Sequence, residues 1–440
     1  MTSAVYLVSF FSLLLPLLGW SLTLEEKIGQ LFIAPLVPTR GEDHEKDWDR
    51  LVKECHVGGA ILKASDRSTQ IRCLNCLPSS TLLVLADAEW GLGMRMTDAL
   101  SFPKNMALGA IQDLKLLERL GREIGREALA VGIHMNLAPV VDVNNNPKNP
   151  IIHLRSFGER PEEVSKRASA LTRGMQATGL FACAKHFPGH GDTEVDSHLG
   201  LPILSHSLER LESIEWPPFK EQIAAGVSAI MTAHILVPAL DPTWPATLSP
   251  KILTSILREK FHFDGLIITD ALNMKGLTNH FTPEEIALRA HGAGADLLLY
   301  GDHISSAVDE LLQEQIPRAY RALLKAYKTG QFPLSRLDES IRRISRLKEK
   351  IHQTTHPIDL QSRAALALKK HLFQEAITLV GKPLIPVDKT ASYLCFGEPK
   401  ADLLKDHFSG ENSSRIVVAL HGLQPNGSHY GLSSETLERP

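Results

Sequence analysis

The chain has 440 residues, of which 43% are hydrophobic and 22% charged, and its formal net charge is −3. This length accommodates one large domain of roughly 250 residues or more together with a smaller one. Basic and acidic residues are interspersed, which excludes a surface of the kind that neutralises nucleic-acid phosphates, so we expect no nucleic-acid partner.

The first 24 residues carry no charge and include the largely apolar run 5–18. The short apolar core, the break at Pro16 and the small residues after it are typical of an export signal cleaved before Leu22. We therefore expect residues 1–21 to be a signal and the mature protein to be periplasmic or extracellular. An uncleaved membrane anchor is the alternative. No other stretch of the sequence is long and apolar enough to span a bilayer.

The five cysteines are odd in number and widely spread, which disfavours a disulfide framework. Cys73 and Cys76 have a spacing that occurs in zinc and redox sites, but no second Cys or His pair of that spacing follows. We interpret the two as loop cysteines that are either unpaired or joined in one local bridge. We predict no metal and no organic cofactor.

Short apolar runs alternate with longer amphipathic segments from residue 24 to about 350, a pattern typical of repeated βα units. Strands are predicted at 30–37, 57–62, 81–86, 132–143, 180–184, 229–237, 266–269 and 295–300. Helices are predicted at 113–131, 161–178, 207–225, 249–261 and 283–290. Nearly continuous apolar strands indicate a parallel sheet covered on both faces. Eight of them indicate an α/β fold with a closed, TIM-like (β/α)8 barrel rather than an open doubly wound sheet.

Polar residues follow directly on six of the predicted strands, where the active site of such a barrel lies. They are Asp87, Glu89 and Arg95 after the third strand, Asp142 and Asn144 after the fourth, Lys185 and His186 after the fifth, Thr232 and His234 after the sixth, Asp270 and Asn273 after the seventh, and Asp302 after the eighth. For three of them a structural role stays open. Asp142 is a candidate partner of loop amides, His234 a candidate interior histidine, and Asp302 a candidate helix cap.

The stretch 185–198 contains three histidines, a lysine, two aspartates and a glutamate. Asp196 and His198 are separated by a single residue, so the carboxylate can orient and charge the imidazole. This arrangement gives an acid/base couple near neutral pH. Two glycines flank His190, and they either let the loop swing over a ligand or permit a tight turn. We expect His190 to shape the loop rather than to donate protons.

The same stretch resembles the K-H-F-P-G-H-G-x-x-x-x-D-S-H signature of the β-N-acetylhexosaminidases in glycoside hydrolase family 3. Supporting matches lie at 136–143, 155–158 and 263–274, and the likeness extends from about residue 24 to 350. The resemblance implies a catalytic barrel over residues 22–352. Over residues 353–440 the sequence predicts a helix at 364–378 and strands at 379–380, 393–396 and 416–420. This segment resembles an incomplete form of the second α/β domain of longer members.

The resemblance also implies roles for individual residues. Asp270 matches the nucleophile that forms a covalent glycosyl-enzyme, His198 the acid/base, and Asp196 its partner. The positions that hold the hydroxyl groups of the sugar are matched by Asp87, Arg95, Arg155, Lys185 and His186. The implied activity is that of a retaining exo-β-N-acetylglucosaminidase, which removes terminal N-acetylglucosamine from cell-wall muropeptides or related oligosaccharides.

Three alternatives stay open. A phosphorolytic enzyme of the same family is one, because a histidine beside the anomeric carbon repels an incoming phosphate less than a carboxylate does. A barrel aldolase that uses Lys185 as a Schiff base is the second. A wall-binding protein that has lost turnover is the third, although Asp270 and His198 are both intact.

The chain departs from many relatives after the third strand. Where those read Asp-Gln-Glu-Gly-Gly-Arg, this chain reads Asp-Ala-Glu-Trp-Gly-Leu from Asp87 onwards. Trp90 adds an apolar face that can stack on a sugar ring or form a wall of the pocket. The subsite preference is therefore open.

Overall fold

The computed structural model describes residues 22–77, 82–301, 308–351, 358–377, 392–396 and 416–420. The predicted export signal, Asp302 and the strand predicted at 379–380 lie outside the described residues. The side chain of Cys76 also lies outside them, so the pairing of Cys73 and Cys76 stays a prediction. Their placement in a loop was wrong, because both residues lie in the helix Arg67–Cys76.

Eight short strands form one parallel sheet, and each lies within or overlaps one of the predicted apolar runs. Their bounds are β1 (Phe32–Leu36), β2 (Gly59–Leu62), β3 (Leu83–Ala86), β4 (Met135–Asn136), β5 (Phe181–Phe187), β6 (Ala229–Thr232), β7 (Leu266–Ile268) and β8 (Leu298–Leu299). The strand order is β7-β6-β5-β4-β3-β2-β1-β8. All residues of these strands are buried, as expected for a sheet that is covered on both faces.

The sheet closes into a barrel where β8 returns to β7. Ile268 and Leu297 form a parallel bridge, and the amides of Leu297 and Thr269 continue the hydrogen bonding at 3.1 and 3.0 Å. Asp296 adds two further bonds to Ile267: its amide donates to the Ile267 carbonyl at 2.8 Å, and its carboxylate accepts from the Ile267 amide at 3.0 Å. The predicted TIM-like barrel is therefore confirmed.

Helices surround the barrel, and the five that were predicted from amphipathic segments are all present. The α-helices are α1 (Leu24–Gly29), α2 (Glu42–Cys55), α3 (Arg67–Cys76), α4 (Asn105–Leu108), α5 (Leu114–Ala130), α6 (Pro161–Gln176), α7 (Leu208–Arg210), α8 (Trp216–Ala224), α9 (Lys275–Thr278), α10 (Pro283–Ala293), α11 (Val308–Glu310), α12 (Ile316–Lys328), α13 (Leu334–Lys348) and α14 (Arg363–Glu375). Segments with π-helical hydrogen bonding lie at Leu211–Glu215, Lys251–Lys260 and Leu311–Gln315. The segment predicted as a helix at 249–261 is thus π-helical over most of its length.

Local sequence signals determine where several of these helices begin. In α10 the Thr282 hydroxyl accepts from the Glu285 amide at 3.3 Å, and the Glu285 carboxylate accepts from the Thr282 amide at 2.9 Å. Pro283 occupies the first helical position, where no amide donor is needed. Asp113 caps α5 by accepting from the Lys115 amide at 2.9 Å.

Strand β4 is much shorter than the apolar run that predicts it. Only Met135–Asn136 pairs as a regular strand, and Pro139, which has no amide donor, follows shortly afterwards. The chain beyond still lies along β5, because the Lys185 amide donates to the Pro139 carbonyl and the Val141 amide to the Lys185 carbonyl. This irregular pairing brings Asp142 beside the end of β5.

Beyond the barrel, α14 confirms the helix predicted at 364–378. Two further strands, β9 (Ser392–Phe396) and β10 (Ile416–Leu420), pair in parallel and coincide with predicted strands.

The domain boundaries at 21/22 and 352/353 stay predictions. Within the described ranges, no helix combines the length and the apolar character that crossing a bilayer requires.

The closure of the barrel gives a first prediction. The buried Asp296 carboxylate pairs with Arg258 and accepts from the Ser340 hydroxyl at 2.6 Å. Asp296→Ala should lower the free energy of unfolding by about 3–5 kcal/mol, because it leaves a largely buried guanidinium without its counter-charge. Urea unfolding measures this loss. The matched control is Asp338→Ala at the exposed pair with Lys27, for which we expect less than about 1 kcal/mol. Equal losses in the two variants would contradict the assignment.

Candidate active site

A chain of alternating acidic and basic side chains lies at the C-terminal ends of β3 and β5. The Nζ of Lys185, a residue that is 2% exposed, lies 2.8 Å from Asp87 Oδ1 and 2.9 Å from Glu89 Oε1. Asp87 also accepts from Arg95 Nη2 at 2.9 Å. Burial by itself lowers the pKa of Lys185, but the two carboxylates outweigh it and the pKa is raised. The ammonium group therefore stays charged.

Arg155 continues this chain from the other side of Glu89. Its Nη2 lies 2.8 Å from Glu89 Oε1 and its Nε 3.1 Å from Oε2, which is a bidentate arrangement. The same Nη2 lies 3.4 Å from His186 Nε2. The structure thus brings together the predicted sugar-binding residues Asp87, Arg95, Arg155, Lys185 and His186.

Asp142 was considered as a partner of loop amides, and the structure shows that it also binds the imidazole of His186. Its Oδ2 lies 2.7 Å from His186 Nδ1, and its carboxylate also accepts from the amides of His186 at 3.2 Å and His190 at 2.7 Å. A carboxylate at Nδ1 favours the tautomer in which that nitrogen carries the proton. The Nε2 of His186 is then the acceptor that faces Arg155.

The two glycines beside His190 are explained by close packing. A Cβ atom on Gly191 would lie 1.9 Å from the Val143 carbonyl oxygen. At Gly189, where φ is 128°, a Cβ would lie 2.7 Å from the Cβ of Glu215. Of the two interpretations of these glycines, the structure favours the tight turn, because this part of the loop is packed against its neighbours.

His190 shapes the loop, as predicted. The residue is 2% exposed, its Nδ1 lies 2.8 Å from Thr193 Oγ1, and its Nε2 lies 3.0 Å from Ser197 Oγ. The side-chain amide of Asn149 donates to the His190 carbonyl at 2.8 Å. Burial lowers the pKa of His190 to about 4, so the ring is neutral at pH 7 and unsuited to donating a proton.

Asp196 and His198 form the predicted pair in the outer part of the loop. His198 Nδ1 lies 2.7 Å from Asp196 Oδ1, and the same oxygen accepts from the His198 amide at 2.9 Å. The side chains are 28% and 24% exposed for His198 and Asp196, so a ligand can reach them, whereas His190 is enclosed. Because Nδ1 is directed at Asp196, proton exchange with a ligand would pass through Nε2.

Asp270 lies just beyond β7 and is half-buried. Its Oδ1 accepts a hydrogen bond from the Ala271 amide at 2.7 Å. Burial raises the pKa of this carboxyl group, but electrostatic interactions with His186, His234 and His198 and the amide hydrogen bond together lower it to about 2. Asp270 is therefore ionised at neutral pH.

Two further polar residues support the loop after β7. His234 is fully buried, with Nδ1 2.8 Å from Thr247 Oγ1 and Nε2 3.0 Å from the Ala271 carbonyl, so its interpretation as an interior histidine is confirmed. The side chain of Asn273 donates to the Gly301 carbonyl at 2.6 Å and accepts from the Gly301 amide at 2.9 Å. These bonds fix the backbone that follows the predicted nucleophile.

Trp90 is partly buried beside the same rim. The Nζ of Lys104 lies 5.2 Å from the centroid of its ring, a cation–π distance. Stacking of Trp90 on a sugar stays a prediction.

Two carboxylates for which no catalytic or sugar-binding role was predicted, Glu89 and Asp142, complete the site. Glu89 neutralises Lys185 and Arg155, and Asp142 orients His186. Both were visible in the sequence as polar residues that follow predicted strands. Their partners were not visible there, because the paired residues are far apart along the chain.

One group of side chains near the loop has the composition of a metal site. Asp192, His206 and Glu215 each offer one ligand atom, and these atoms lie within 4.8 Å of one another. The nucleophile and acid/base roles predicted for Asp270 and His198 do not require a metal ion.

The charge pairs around Glu89 give a pH-dependent prediction. Burial raises the pKa of Glu89, but Arg155 and Lys185 lower it from 4.5 to about 2. A carboxyl group with a lowered pKa in the folded state contributes stability above pH 4.5 that is lost as the pH falls towards 2. Glu89→Gln should therefore lower the free energy of unfolding by about 3–5 kcal/mol at pH 7, and this difference should shrink between pH 4.5 and 2.

Urea unfolding at a series of pH values measures the effect of Glu89→Gln. Glu118→Gln is the matched control, because Glu118 pairs with Arg122 on the surface of α5. For this control we expect a difference from the wild type of less than about 1 kcal/mol at every pH. A Glu89→Gln difference that stays constant across the acid range would show that the lowered pKa is wrong.

Known sequences that resemble this chain belong to one family of glycoside hydrolases. Residues 23–347 match the family described as Glycosyl hydrolase family 3 N terminal domain. The chain is 36% identical over 334 residues to beta-hexosaminidase A of Pseudoalteromonas piscicida, and the match covers 69% of this chain and 55% of that protein. The chain thus spans about half the length of this relative.

Two solved structures resemble the fold over most of its length. One is a glycoside hydrolase family 3 β-N-acetylglucosaminidase from Paenibacillus sp. str. FPU-7, with a TM-score of 0.76, 32% identity, and coverage of 91% of this chain and 80% of that one. The other is the beta-glucoside phosphorylase BglX bound to 2FGlc, with a TM-score of 0.74, 26% identity, and coverage of 91% and 76%. The family resemblance found in the sequence is confirmed: the chain belongs to glycoside hydrolase family 3.

Proposed function

We propose that the protein is a retaining exo-β-N-acetylglucosaminidase that removes terminal N-acetylglucosamine from cell-wall muropeptides or related oligosaccharides. The observation that carries this proposal is the hydrogen-bonded pair of His198 and Asp196, together with Asp270, which is ionised at neutral pH. The activities named for the Pseudoalteromonas and Paenibacillus relatives support an N-acetylated amino sugar as the substrate.

In the first half-reaction, Asp270 attacks the anomeric carbon and the bond to the leaving oxygen breaks. The attack requires an ionised carboxylate, which a pKa of about 2 supplies at neutral pH. His198 gives its proton to the leaving oxygen, and the carboxylate of Asp196 stabilises the imidazolium before that transfer. The product is a glycosyl ester of Asp270.

In the second half-reaction, the neutral His198 takes a proton from a water molecule, which attacks the same carbon and releases Asp270. Two inversions at one carbon retain the configuration of the sugar. A histidine suits both steps because its charged and neutral forms are both accessible near neutral pH. The partial exposure of His198 allows the aglycone to leave and water to enter.

The buried charge chain supports the binding of the sugar. Lys185, Arg95 and Arg155 are held by carboxylates on strand ends and on the segments that follow them, so their donors are oriented before a ligand arrives. Hydroxyl groups of the sugar can bond to such donors without reordering long side chains. Export to the compartment of the cell wall, as the predicted signal implies, agrees with a muropeptide substrate.

Phosphorolysis is the second candidate, favoured by the likeness to the phosphorylase BglX. Phosphate would replace water in the second half-reaction, and a histidine acid/base repels it less than a carboxylate does. Product analysis with and without phosphate separates the two activities, because only phosphorolysis yields a sugar 1-phosphate. A phosphate-dependent sugar 1-phosphate would reject simple hydrolysis.

The aldolase alternative has less support. A Schiff-base lysine must lose its proton, and burial favours this loss. The Nζ of Lys185, however, lies between two carboxylates, which raise its pKa. Lys185 is therefore better suited to holding a ligand than to attacking a carbonyl group.

Asp270→Ala should reduce the turnover of an aryl N-acetyl-β-glucosaminide by at least roughly 1,000-fold, because it removes the carboxylate that attacks the anomeric carbon. Circular dichroism checks that the variant is folded. Asp264→Ala is a matched control, because Asp264 lies before β7, at the opposite end of the strand, and is exposed. In the wild type, a fluorosugar trap followed by peptide mapping should label Asp270. Unchanged rates in Asp270→Ala, or a label on another residue, would remove it as the nucleophile.

His198→Ala should slow glycosides with poor leaving groups by roughly 100-fold or more, because their leaving oxygen needs a proton. Aryl glycosides with good leaving groups should be slowed far less. The measurement is a series of aryl and alkyl N-acetyl-β-glucosaminides, with the matching glucosides to test the sugar preference. His280→Ala, at an exposed histidine beyond β7, serves as the control. Equal slowing of the whole series would contradict an acid role for His198.

A further inference from the structure

A second polar cluster lies where the loop that carries Asp196 and His198 meets the helical segment that follows it. We name it the loop-base cluster: Asp192, His206, Arg210 and Glu215. His206 Nε2 lies 2.7 Å from Asp192 Oδ2, and Arg210 Nη2 lies 3.3 Å from both Asp192 Oδ2 and Glu215 Oε1. None of these four residues takes part in the proposed reaction.

Glu215 is poorly satisfied within this cluster. Its side chain is 3% exposed, and its Oε2 has no hydrogen-bond partner among the described residues. A buried carboxylate oxygen that accepts no hydrogen bond is unfavourable, and a bound cation would satisfy it.

Arg210 does not supply that charge well. Its two contacts to carboxylate oxygens are long for charge-assisted hydrogen bonds, which are usually about 2.7–2.9 Å. Its Nε is buried and has no hydrogen-bond partner in the described ranges. The Arg210 side chain is 34% exposed, so it can turn outwards to solvent.

The geometry around Glu215 suits a compact cation. The loop-base cluster offers one imidazole nitrogen and two carboxylate oxygens that lie within 4.8 Å of one another. Metal–ligand bonds of about 2.0–2.2 Å place two ligand atoms at most about 4.4 Å apart. Small side-chain rotations would therefore bring the three atoms around one ion. An imidazole among the ligands favours a transition metal over Ca²⁺ or Mg²⁺.

We propose that Asp192, His206 and Glu215 bind a divalent transition-metal ion, with Zn²⁺ the ion that this donor set suits best. The ion takes the place of the Arg210 guanidinium, and water completes its coordination. The ion links Asp192 in the loop to Glu215 in the helical segment. This link restricts the movement of the loop that carries Asp196 and His198. This inference does not depend on the proposed function, because its test measures metal binding.

The test is a titration of the chelator-treated full-length protein with ZnCl₂, followed by calorimetry and by metal analysis after dialysis. We expect one Zn²⁺ per chain. His206→Ala and Glu215→Gln should each weaken the affinity by at least roughly 10-fold, because each removes a ligand. His206 is partly exposed, so His206→Ala tests the site even if Glu215→Gln fails to fold.

Two controls separate this site from others. His371→Ala alters an exposed histidine paired with Glu375 and should leave Zn²⁺ binding unchanged. His198→Ala should also leave it unchanged, because the acid/base pair is a different imidazole–carboxylate group. No saturable binding would overturn the proposal. Binding that His198→Ala abolishes and His206→Ala preserves would overturn it as well, because the ion would then lie at the acid/base pair.

Arg210→Ala should change the Zn²⁺ affinity in the direction opposite to His206→Ala and Glu215→Gln. If the ion replaces the guanidinium, removing Arg210 should make Zn²⁺ bind more tightly. Unchanged or weaker binding would overturn the displacement of Arg210 and with it the proposed coordination. Hydrogen exchange of amides 192–206 should slow on Zn²⁺ addition in the wild type and not in His206→Ala, and equal protection in both would overturn the fastening of the loop.

Discussion

The contact on which the rest of the site depends is the Lys185 ammonium between the carboxylates of Asp87 and Glu89. A buried cation is tolerated only with counter-charges at hydrogen-bonding distance, and each buried carboxylate then needs a second cation in turn. Arg95 and Arg155 meet that need. Because Asp87 and Glu89 each contact two cations, one of which is Lys185, these contacts hold the ends of β3 and β5 in fixed positions relative to each other.

Two kinds of environment therefore meet at the rim of the barrel. Lys185, its two carboxylates and His186 are enclosed, and their polar atoms are bonded within the protein, whereas Arg95 and Arg155 are partly exposed. Asp196 and His198 are partly exposed and lie on a loop rather than on a strand. The enclosed groups suit recognition of a ligand, which requires fixed donors, whereas the exposed pair suits proton exchange, which requires access for water and the leaving group.

The sequence predicts the barrel well because its signals are local and repeated. Apolar runs mark the eight strands, and residues such as Thr282 mark helix ends through contacts with near neighbours. The shortness of β4 is harder to predict, because the chain beyond Pro139 still hydrogen-bonds to β5 without forming a regular strand. The composition of the site is predictable from the strand ends, but its pairing is not. Glu89 meets Arg155 across 66 positions, and only the folded barrel decides which charges become partners.

The contact between Gly191 and the Val143 carbonyl sets a boundary for motion in the loop. No side chain fits between the two backbones there, so the polypeptide before this point is clamped to the segment after β4. The hydrogen bond between His190 Nε2 and Ser197 Oγ extends this attachment to the residue that precedes His198. A substitution at Gly191 would therefore disturb the acid/base pair as well as the enclosed groups beneath it.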